Sequence, residues 1–169
     1  MQEEKIAIVN EKDKIIGAKA ISKVHELGLL HREVYVYLIN LDGKILLQKR
    51  NDNGLFDHSA AGHFSNEESY IEGAIREFKE ELGVKLSEND LHEIGYERIE
   101  TRKPNKKNIR FVKIYIVRKN IKNFKIDKTE LNCIKFFSKS ELKTLLQQPK
   151  LLTGSAKLII EKYILKEIL

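Results

Sequence analysis

Short apolar runs alternate with polar turn segments along most of the chain. Runs rich in β-branched and aromatic residues predict strands at 6–9, 15–20, 34–39, 45–48, 94–100, 110–117 and 133–137, and the small-residue segment 59–64 is a further candidate. Asp42-Gly43 tolerates the positive φ angles of a tight turn, so the third and fourth runs are expected to form a hairpin. The segment 51–57 is predicted to be a loop.

Three further segments of the chain are predicted to be helices. Ser65 and Glu68 have the spacing of a capping box and predict a helix over 68–82, which Gly83 would end. Ser138 is expected to cap a helix reaching 146, and a last amphipathic helix is expected over 155–168. Strands, one helix, more strands and then helices predict an α+β fold or a mixed-sheet sandwich.

Length and composition narrow the class of protein. The 169 residues, 41% of them hydrophobic, suit a single globular domain over 1–169. No apolar run is long enough to cross a bilayer, and Met1 is followed by polar residues rather than a signal peptide, so no membrane association is expected. The single cysteine, Cys133, cannot build a disulfide framework, and a cytoplasmic location is therefore expected.

The formal charge of +6 is compatible with anionic partners, and also with solubility alone. The basic residues are scattered, and their densest cluster surrounds the expected turn at Pro104 and Asn105. The members of this cluster are Arg102, Lys103, Lys106, Lys107 and Arg110. We expect it to be a solvated hairpin tip.

The predicted helix over 68–82 carries converging carboxylates. With Glu77 taken as zero, Glu81 falls at about +40° and Glu80 at about −60° on the helical wheel. An apolar stripe lies elsewhere on the wheel and consists of Ile71, Ile75, Phe78 and Leu82. Such carboxylates repel each other unless they are solvated or share a cation, and Mg²⁺ favours oxygen ligands. The alternative is a solvated acidic face balanced by Arg76 and Lys79.

The wider pattern resembles the Nudix box. Gly62 is followed after five residues by Glu68 and, after seven more, by the sequence REFKEELGV at 76–84. Further likeness lies at 31–34, 46–50 and 130–137. The resemblance implies a Nudix fold, an α/β/α sandwich around a mixed sheet in which the box (62–84) forms a loop-helix-loop. It also implies hydrolysis of a diphosphate linkage with Mg²⁺, for which Mn²⁺ can substitute.

The resemblance also implies roles for single residues. The metal ligands would be Glu77, Glu80 and Glu81, with the backbone carbonyl of Ala61. Glu68 and Arg76 would brace the loop against the helix, and Gly62 and Gly83 are fixed positions of the motif. The general base would be a box glutamate (Glu77 or Glu80), which we favour, or Glu130. Arg32 and Arg50 are candidates for binding the phosphates, because guanidinium groups bind them in a bidentate manner.

Within the superfamily the chain looks most like the branch related to isopentenyl-diphosphate isomerases. In those enzymes three histidines, matching His25, His31 and His63, help to hold a metal together with two glutamates of a later motif. That motif is not recognisable here, and Ala61 stands where the isomerases have a catalytic cysteine. Cys133 lies far away in a predicted strand. We therefore expect a hydrolase, in which the histidines are relics, a second metal site or, as we prefer, satisfied structural residues.

The expected partner is a small-molecule diphosphate such as a nucleoside diphosphate derivative. An isopentenyl-diphosphate isomerase activity is the first alternative. Removal of the 5′ pyrophosphate from RNA is the second, but it would need a continuous basic strip with interleaved aromatic residues, so nucleic acid is not expected as a partner. Nucleotides, nucleotide-sugars and prenyl diphosphates all remain open as substrates, and a homodimer is compatible with the resemblance.

Overall fold

The computed structural model describes residues 3–103 and 106–168, and here nine strands form one sheet. The strands are β1 (Lys5–Val9), β2 (Ile15–Ala20), β3 (Leu30–Ile39), β4 (Ile45–Arg50), β5 (Phe56–Asp57), β6 (Ala60–His63), β7 (His92–Lys103), β8 (Lys106–Arg118) and β9 (Leu131–Phe137). The helices are α1 (Ile21–Leu27), α2 (Tyr70–Leu82), α3 (Lys139–Leu146) and α4 (Gly154–Ile159), the last continued by a π-helical turn (Ile160–Ile164) and α5 (Leu165–Glu167). Two 3₁₀ turns span Glu88–Asp90 and Pro149–Leu151.

The sheet is organised around β3. This strand pairs in parallel with β8 over its whole length and antiparallel with β1, β4 and β6. The expected mixed sheet and the α+β class are confirmed. Because β3 is paired along its whole length in the middle of the sheet, its side chains define what lies on each face.

Alternation along β3 separates two hydrophobic cores. Val34 and Val36 point to one face, where they pack with Phe78 of α2. Tyr35 and Tyr37 point to the other face, which is covered by α3, α4 and the π-helical turn. Since successive side chains of a strand face opposite sides, one buried strand supplies both cores of the α/β/α sandwich.

The prediction that α2 starts at the pair Ser65 and Glu68 is wrong. The cap is Ser69, whose side chain accepts a hydrogen bond from the backbone of Glu72, while the Glu72 carboxylate binds the Ser69 backbone N–H in return. The Ser65 N–H does donate to the Glu68 carboxylate, but Glu68 is tied to Arg76 by an ion pair of 2.8 Å and stays in a turn before the helix. The helix ends as predicted at Gly83, which has φ +70°.

Three other elements differ from expectation. The helix α1 was not predicted, because it is short and begins at Ala20 without any side-chain cap. The strand β5 lies in the segment 51–57 that was expected to be a loop. The C-terminal helical segment begins one residue earlier than expected, at Gly154, and includes the π-helical turn.

The basic hairpin is longer than expected, and its turn at Pro104 and Asn105 lies outside the described residues. The expectation of a solvated cluster is wrong for Arg110, which is 4% exposed. Its guanidinium Nε lies 2.8 Å from the carboxylate of Glu33. The reason is the parallel pairing of β8 with β3, which sets Arg110 beside His31 and turns its side chain into the molecule.

Of the helices in the described ranges, none combines the length and the apolar character that crossing a membrane would require.

We predict that Ser69→Ala lowers the free energy of unfolding by about 1 kcal/mol, because a helix loses the side-chain cap of its first turn. Ser65→Ala is the matched control and should lower the free energy of unfolding less. The contact between Ser65 and Glu68 uses the backbone N–H of Ser65 and therefore survives the substitution. Urea unfolding of both variants measures the difference. An equal loss in both would contradict the corrected helix start.

Candidate active site

The candidate site begins where α2 lies against β6. The carboxylate of Glu81 accepts a hydrogen bond of 3.0 Å from the backbone N–H of Ala61. At the next residue, Gly62, a Cβ atom would lie only 2.3 Å from the carboxyl carbon of Glu77, so a larger residue there would displace this carboxylate. Two carboxylates of one helix therefore lie directly against the backbone of one strand.

Arg76 connects the helix to the loop before it. Its Nε donates to Glu68 at 2.8 Å, and one terminal nitrogen donates to the backbone carbonyl of His63 at 2.8 Å. The other terminal nitrogen contacts Glu77 at 3.0 Å and Glu80 at 2.9 Å. One guanidinium thus joins the loop, the end of β6 and the acidic face of α2.

The buried carboxylates are electrostatically unfavourable as they stand. Burial, with the nearby charge of Glu80, raises the pKa of Glu77 to about 7, although Arg76 opposes the shift. Burial also raises the pKa of Glu81, to which the charges of Glu77 and Glu130 contribute. Within the described residues no cationic side chain contacts Glu81. A set of buried oxygen donors without a cation fits a hard divalent ion such as Mg²⁺.

A second cluster lies beside this acidic wall. One side-chain atom from each of His25, His31, Glu33 and His63 lies within 4.8 Å of every other. The Nδ1 atom of His31 bonds the backbone carbonyl of Leu29 at 2.9 Å, so it carries the hydrogen and Nε2 is left with a lone pair. That Nε2 is buried and makes no hydrogen bond in the part of the chain that the structure describes, and its contact with Glu33 Oε1 is 3.5 Å, longer than a well-formed bond.

The contacts of Glu33 leave one of its oxygens facing the histidines. Its Oε2 binds Arg110 at 2.8 Å and the hydroxyl of Tyr35 at 2.9 Å. Its Oε1 lies 3.1 Å from His63. Burial would raise the pKa of Glu33, but Arg110 and His63 hold it well below its usual range. An anionic oxygen, a lone pair and two further imidazoles make a donor set suited to a divalent transition metal.

Both clusters open into one pocket of about 370 Å³. Glu77, Glu33 and His63 line one part of it, and Arg50 and Glu130 line the part nearest to β4 and β9. Three further polar side chains of the lining belong to Asp57, His58 and Ser155.

Most of the predicted site residues meet here, with two exceptions. Ala61, Gly62, Glu77, Arg50 and Glu130 line the pocket, and Glu81 lies behind Ala61. The side chain of Glu80 is 57% exposed and is paired with Arg76 at the rim.

Arg32 is not brought to the pocket. Its Nε donates to Asp13 at 2.7 Å, and its guanidinium lies over the ring of Tyr70. The cause is the alternation of β3, which turns Arg32 to the face opposite Glu33.

Several pocket residues were missed by sequence reasoning. Those with the most polar side-chain chemistry are Glu33, Asp57, His58, Arg110 and Ser155. One signal was available for Glu33, since it follows His31 by two residues and such residues share one face of a strand. The other four come together through long-range strand pairing, for which the local sequence gives no indication.

Comparison with known proteins places this geometry in a family. The sequence model of the NUDIX domain matches residues 29–161. An uncharacterized Nudix hydrolase of Clostridium acetobutylicum is 38% identical over 103 residues, which cover 56% of this chain and 50% of that protein. Isopentenyl-diphosphate Delta-isomerase 1 of Mus musculus is 38% identical over 108 residues, covering 53% of this chain and 48% of the isomerase. The chain thus spans about half the length of these relatives.

Solved structures agree with the fold. DR0079 from Deinococcus radiodurans superposes with a TM-score of 0.72 at 18% identity, covering 94% of this chain and 98% of that one. The NUDIX domain of Shewanella oneidensis NrtR, complexed with ADP-ribose, superposes with a TM-score of 0.59 at 20% identity, covering 78% and 83%. At such identities the likeness concerns the fold alone.

We predict that Glu77→Gln stabilises the metal-free protein above neutral pH. Because the pKa of Glu77 rises from 4.5 to about 7 on folding, the folded state binds a proton that the unfolded state has released, and stability falls as pH rises through this window. The variant does not lose stability in this way. In EDTA at about pH 8 its free energy of unfolding should exceed that of wild type by about 1 to 3 kcal/mol, since one pKa unit is about 1.4 kcal/mol.

Thermal unfolding with EDTA and with Mg²⁺ measures this effect. Mg²⁺ should raise the Tm of wild type more than that of the variant. Glu80→Gln is the matched control, because the exposed carboxylate should change little. A metal-free variant less stable than wild type at both about pH 5 and about pH 8 would contradict the role of burial.

Proposed function

The chain belongs to the NUDIX domain family, and from this premise we propose that it is a divalent-cation-dependent hydrolase of a diphosphate linkage. The substrate would be a nucleoside diphosphate derivative or a similar organic diphosphate. The observation that carries the proposal is the pair of buried carboxylates, Glu77 and Glu81, which lies against a polar pocket without a cationic partner for Glu81.

The cation would be Mg²⁺, with Mn²⁺ as a substitute, held by Glu77, Glu81 and the backbone carbonyl of Ala61, with Glu80 at the rim. When bound, it supplies the positive charge that polarises the phosphorus and makes a water molecule easier to deprotonate. Arg76 keeps Glu77 and Glu80 in place from the side away from the pocket.

Glu130 is our first choice for the general base. Its carboxylate lines the pocket and takes part in no ion pair among the described residues. The two other candidates, Glu77 and Glu80, each have a carboxylate oxygen engaged by Arg76. A carboxylate within hydrogen-bonding reach of the attacking water can accept its proton.

Two guanidinium groups are placed to bind the phosphates. Arg50 lines the pocket, and although its Nε is paired with Asp52 at 2.9 Å, its Nη1 lies 4.0 Å from Asp57, too far for a close ion pair. Arg110 lines it as well, and its described bonds to Glu33, Tyr35 and Thr101 leave Nη2 uncommitted. We leave Arg32 out of this set because its guanidinium is engaged with Asp13 on the other face of the sheet.

The histidine cluster is proposed as a second cation site. Satisfied structural histidines would each have hydrogen-bond partners, whereas the buried Nε2 of His31 has none among the described residues. His25, His63 and Glu33 offer the remaining donors. Imidazole donors suit Mn²⁺ or Zn²⁺ better than Mg²⁺, so the two sites would differ in the ion they prefer.

An isomerase activity is less well supported. The position matching the isomerase cysteine is Ala61, which lines the pocket. Cys133 lies on β9 and is not among the lining residues of this pocket. An RNA substrate is also less well supported, because the buried Arg110 is withdrawn from the basic hairpin surface. The ADP-ribose bound by the Shewanella NUDIX domain is a small nucleoside diphosphate derivative, in line with our proposal.

We predict that Glu81→Gln lowers kcat at least about a hundredfold while the fold is kept, because a neutral amide is a poor ligand for Mg²⁺. The assay separates the products by chromatography for a panel consisting of ADP-ribose, a nucleotide-sugar, a nucleoside triphosphate and isopentenyl diphosphate, because the first two yield two phosphomonoesters and no free phosphate. Glu67→Gln, in the exposed loop before α2, is the control and should be as active as wild type. Near-normal turnover in Glu81→Gln would remove this residue from the cation site.

We also predict that isopentenyl diphosphate incubated with the protein and Mg²⁺ yields no dimethylallyl diphosphate, because no thiol lines the described pocket. NMR of the incubated sample distinguishes isomerisation from hydrolysis. Isomerised product above the background rate would overturn the preference for a hydrolase, whereas release of phosphate from the same compound would agree with it.

A further inference from the structure

The lining residues Asp57, His58 and Ser155 belong to a network of polar groups that the proposed chemistry does not use. We propose that Ser155 is a specificity-determining hydrogen-bond donor to the non-phosphate part of the substrate, and that the buried pair Tyr37 and His58 positions it. The inference rests on the proposed function, since it concerns what the diphosphate is attached to.

The hydroxyl of Tyr37 fixes the hydrogen positions of His58. Tyr37 is fully buried, and its hydroxyl has one described partner, the Nδ1 of His58 at 2.5 Å. A buried hydroxyl with a single acceptor donates to it, so Nδ1 accepts and the ring hydrogen is on Nε2. Burial lowers the pKa of His58 to about 4, and the imidazole is therefore neutral at physiological pH and keeps this tautomer.

The Nε2 hydrogen of His58 in turn fixes Ser155. Nε2 lies 3.3 Å from both the hydroxyl oxygen of Ser155 and Oδ1 of Asp57, so its hydrogen is shared between two acceptors. Because Nε2 carries a hydrogen, the Ser155 hydroxyl cannot donate to it and must direct its own hydrogen elsewhere. In the described part of the chain the one other partner of that hydroxyl is Thr153 Oγ1 at 3.5 Å, beyond the usual range for O–H···O bonds. Because Ser155 lines the pocket, the hydrogen is available to a ligand there.

Asp57 supplies the complementary acceptor. Its Oδ1 accepts from the Thr153 hydroxyl at 2.7 Å and from the backbone N–H of His58 at 3.0 Å. The one described contact of its Oδ2 is with Arg50 at 4.0 Å. A donor and an acceptor side by side match the hydroxyls of a sugar or the edge of a nucleobase.

A hydrocarbon chain would leave both groups unpaired. An unpaired buried polar group costs its desolvation, and for this reason sites built to hydrogen-bond a substrate reject analogues that lack the partner. The wall beside these groups is rigid, because the rings of Tyr35 and His58 stack with centroids 3.7 Å apart. This part of the pocket thus selects a polar group over a prenyl chain.

The test compares ADP-ribose with dimethylallyl diphosphate in wild type, Ser155→Ala and Tyr37→Phe. Losing one neutral hydrogen bond should lower kcat/KM for ADP-ribose about five- to tenfold in Ser155→Ala, mainly through KM, with kcat and the reaction of dimethylallyl diphosphate unchanged. Tyr37→Phe should lower the preference for ADP-ribose less, because the tautomer of His58 is no longer fixed but Ser155 is kept. Ser140→Ala, in the exposed first turn of α3, is the control and should match wild type.

Three results would overturn the inference. These are an equal loss for both compounds in Ser155→Ala, no loss for either, and a wild-type preference for dimethylallyl diphosphate. If wild type hydrolyses neither compound, calorimetry with α,β-methylene-ADP and Mg²⁺ separates the two proposals. Binding that weakens in Ser155→Ala would retain the role of Ser155 while the hydrolase proposal fails, and no binding to wild type would overturn both.

Discussion

Two largely buried carboxylates whose charge is only partly compensated set the conditions for the whole site. Glu77 and Glu81 lie on one face of the helix Tyr70–Leu82 and press against the backbone at Ala61 and Gly62. Burying an anion costs several kcal/mol unless hydrogen bonds or a cation offset it. Arg76 and one backbone N–H offset part of this cost, and the remainder is the reason why we propose a shared cation here.

The sequence was sufficient to predict what depends on local periodicity. Glu77 and Glu81 could be placed on one face because a helix repeats about every 3.6 residues, and the strand at β3 followed from its alternation. The helix start was missed by two residues because two serines compete for it, and only the pairing of Glu68 with Arg76 decides between them. That pairing is a tertiary contact, and a local capping pattern carries no information about it.

The part of the pocket that Arg110 and Glu33 line could not be predicted, because it too depends on tertiary contacts. Arg110 bonds Tyr35 across 75 residues of sequence, and the contact exists only because β8 pairs in parallel with β3. The same alternation explains why Arg32 and Glu33, adjacent in sequence, lie on opposite faces of the sheet. A basic residue beside a turn is usually solvated, and nothing in the sequence near Arg110 signals a buried carboxylate partner.

The two hydrophobic cores divide the pocket into two independently supported halves. The glutamates that we propose as cation ligands lie on a helix packed on the Val34 face of the central strand, whereas Ser155 lies in the first turn of a helix packed on the Tyr35 face. Because the two helices share the strand but not their packing partners, divergence could remodel one half while the other keeps its geometry. A scaffold of this kind lets a lineage exchange substrates without rebuilding its chemistry, and the isomerase-like frame seen here is compatible with such a history.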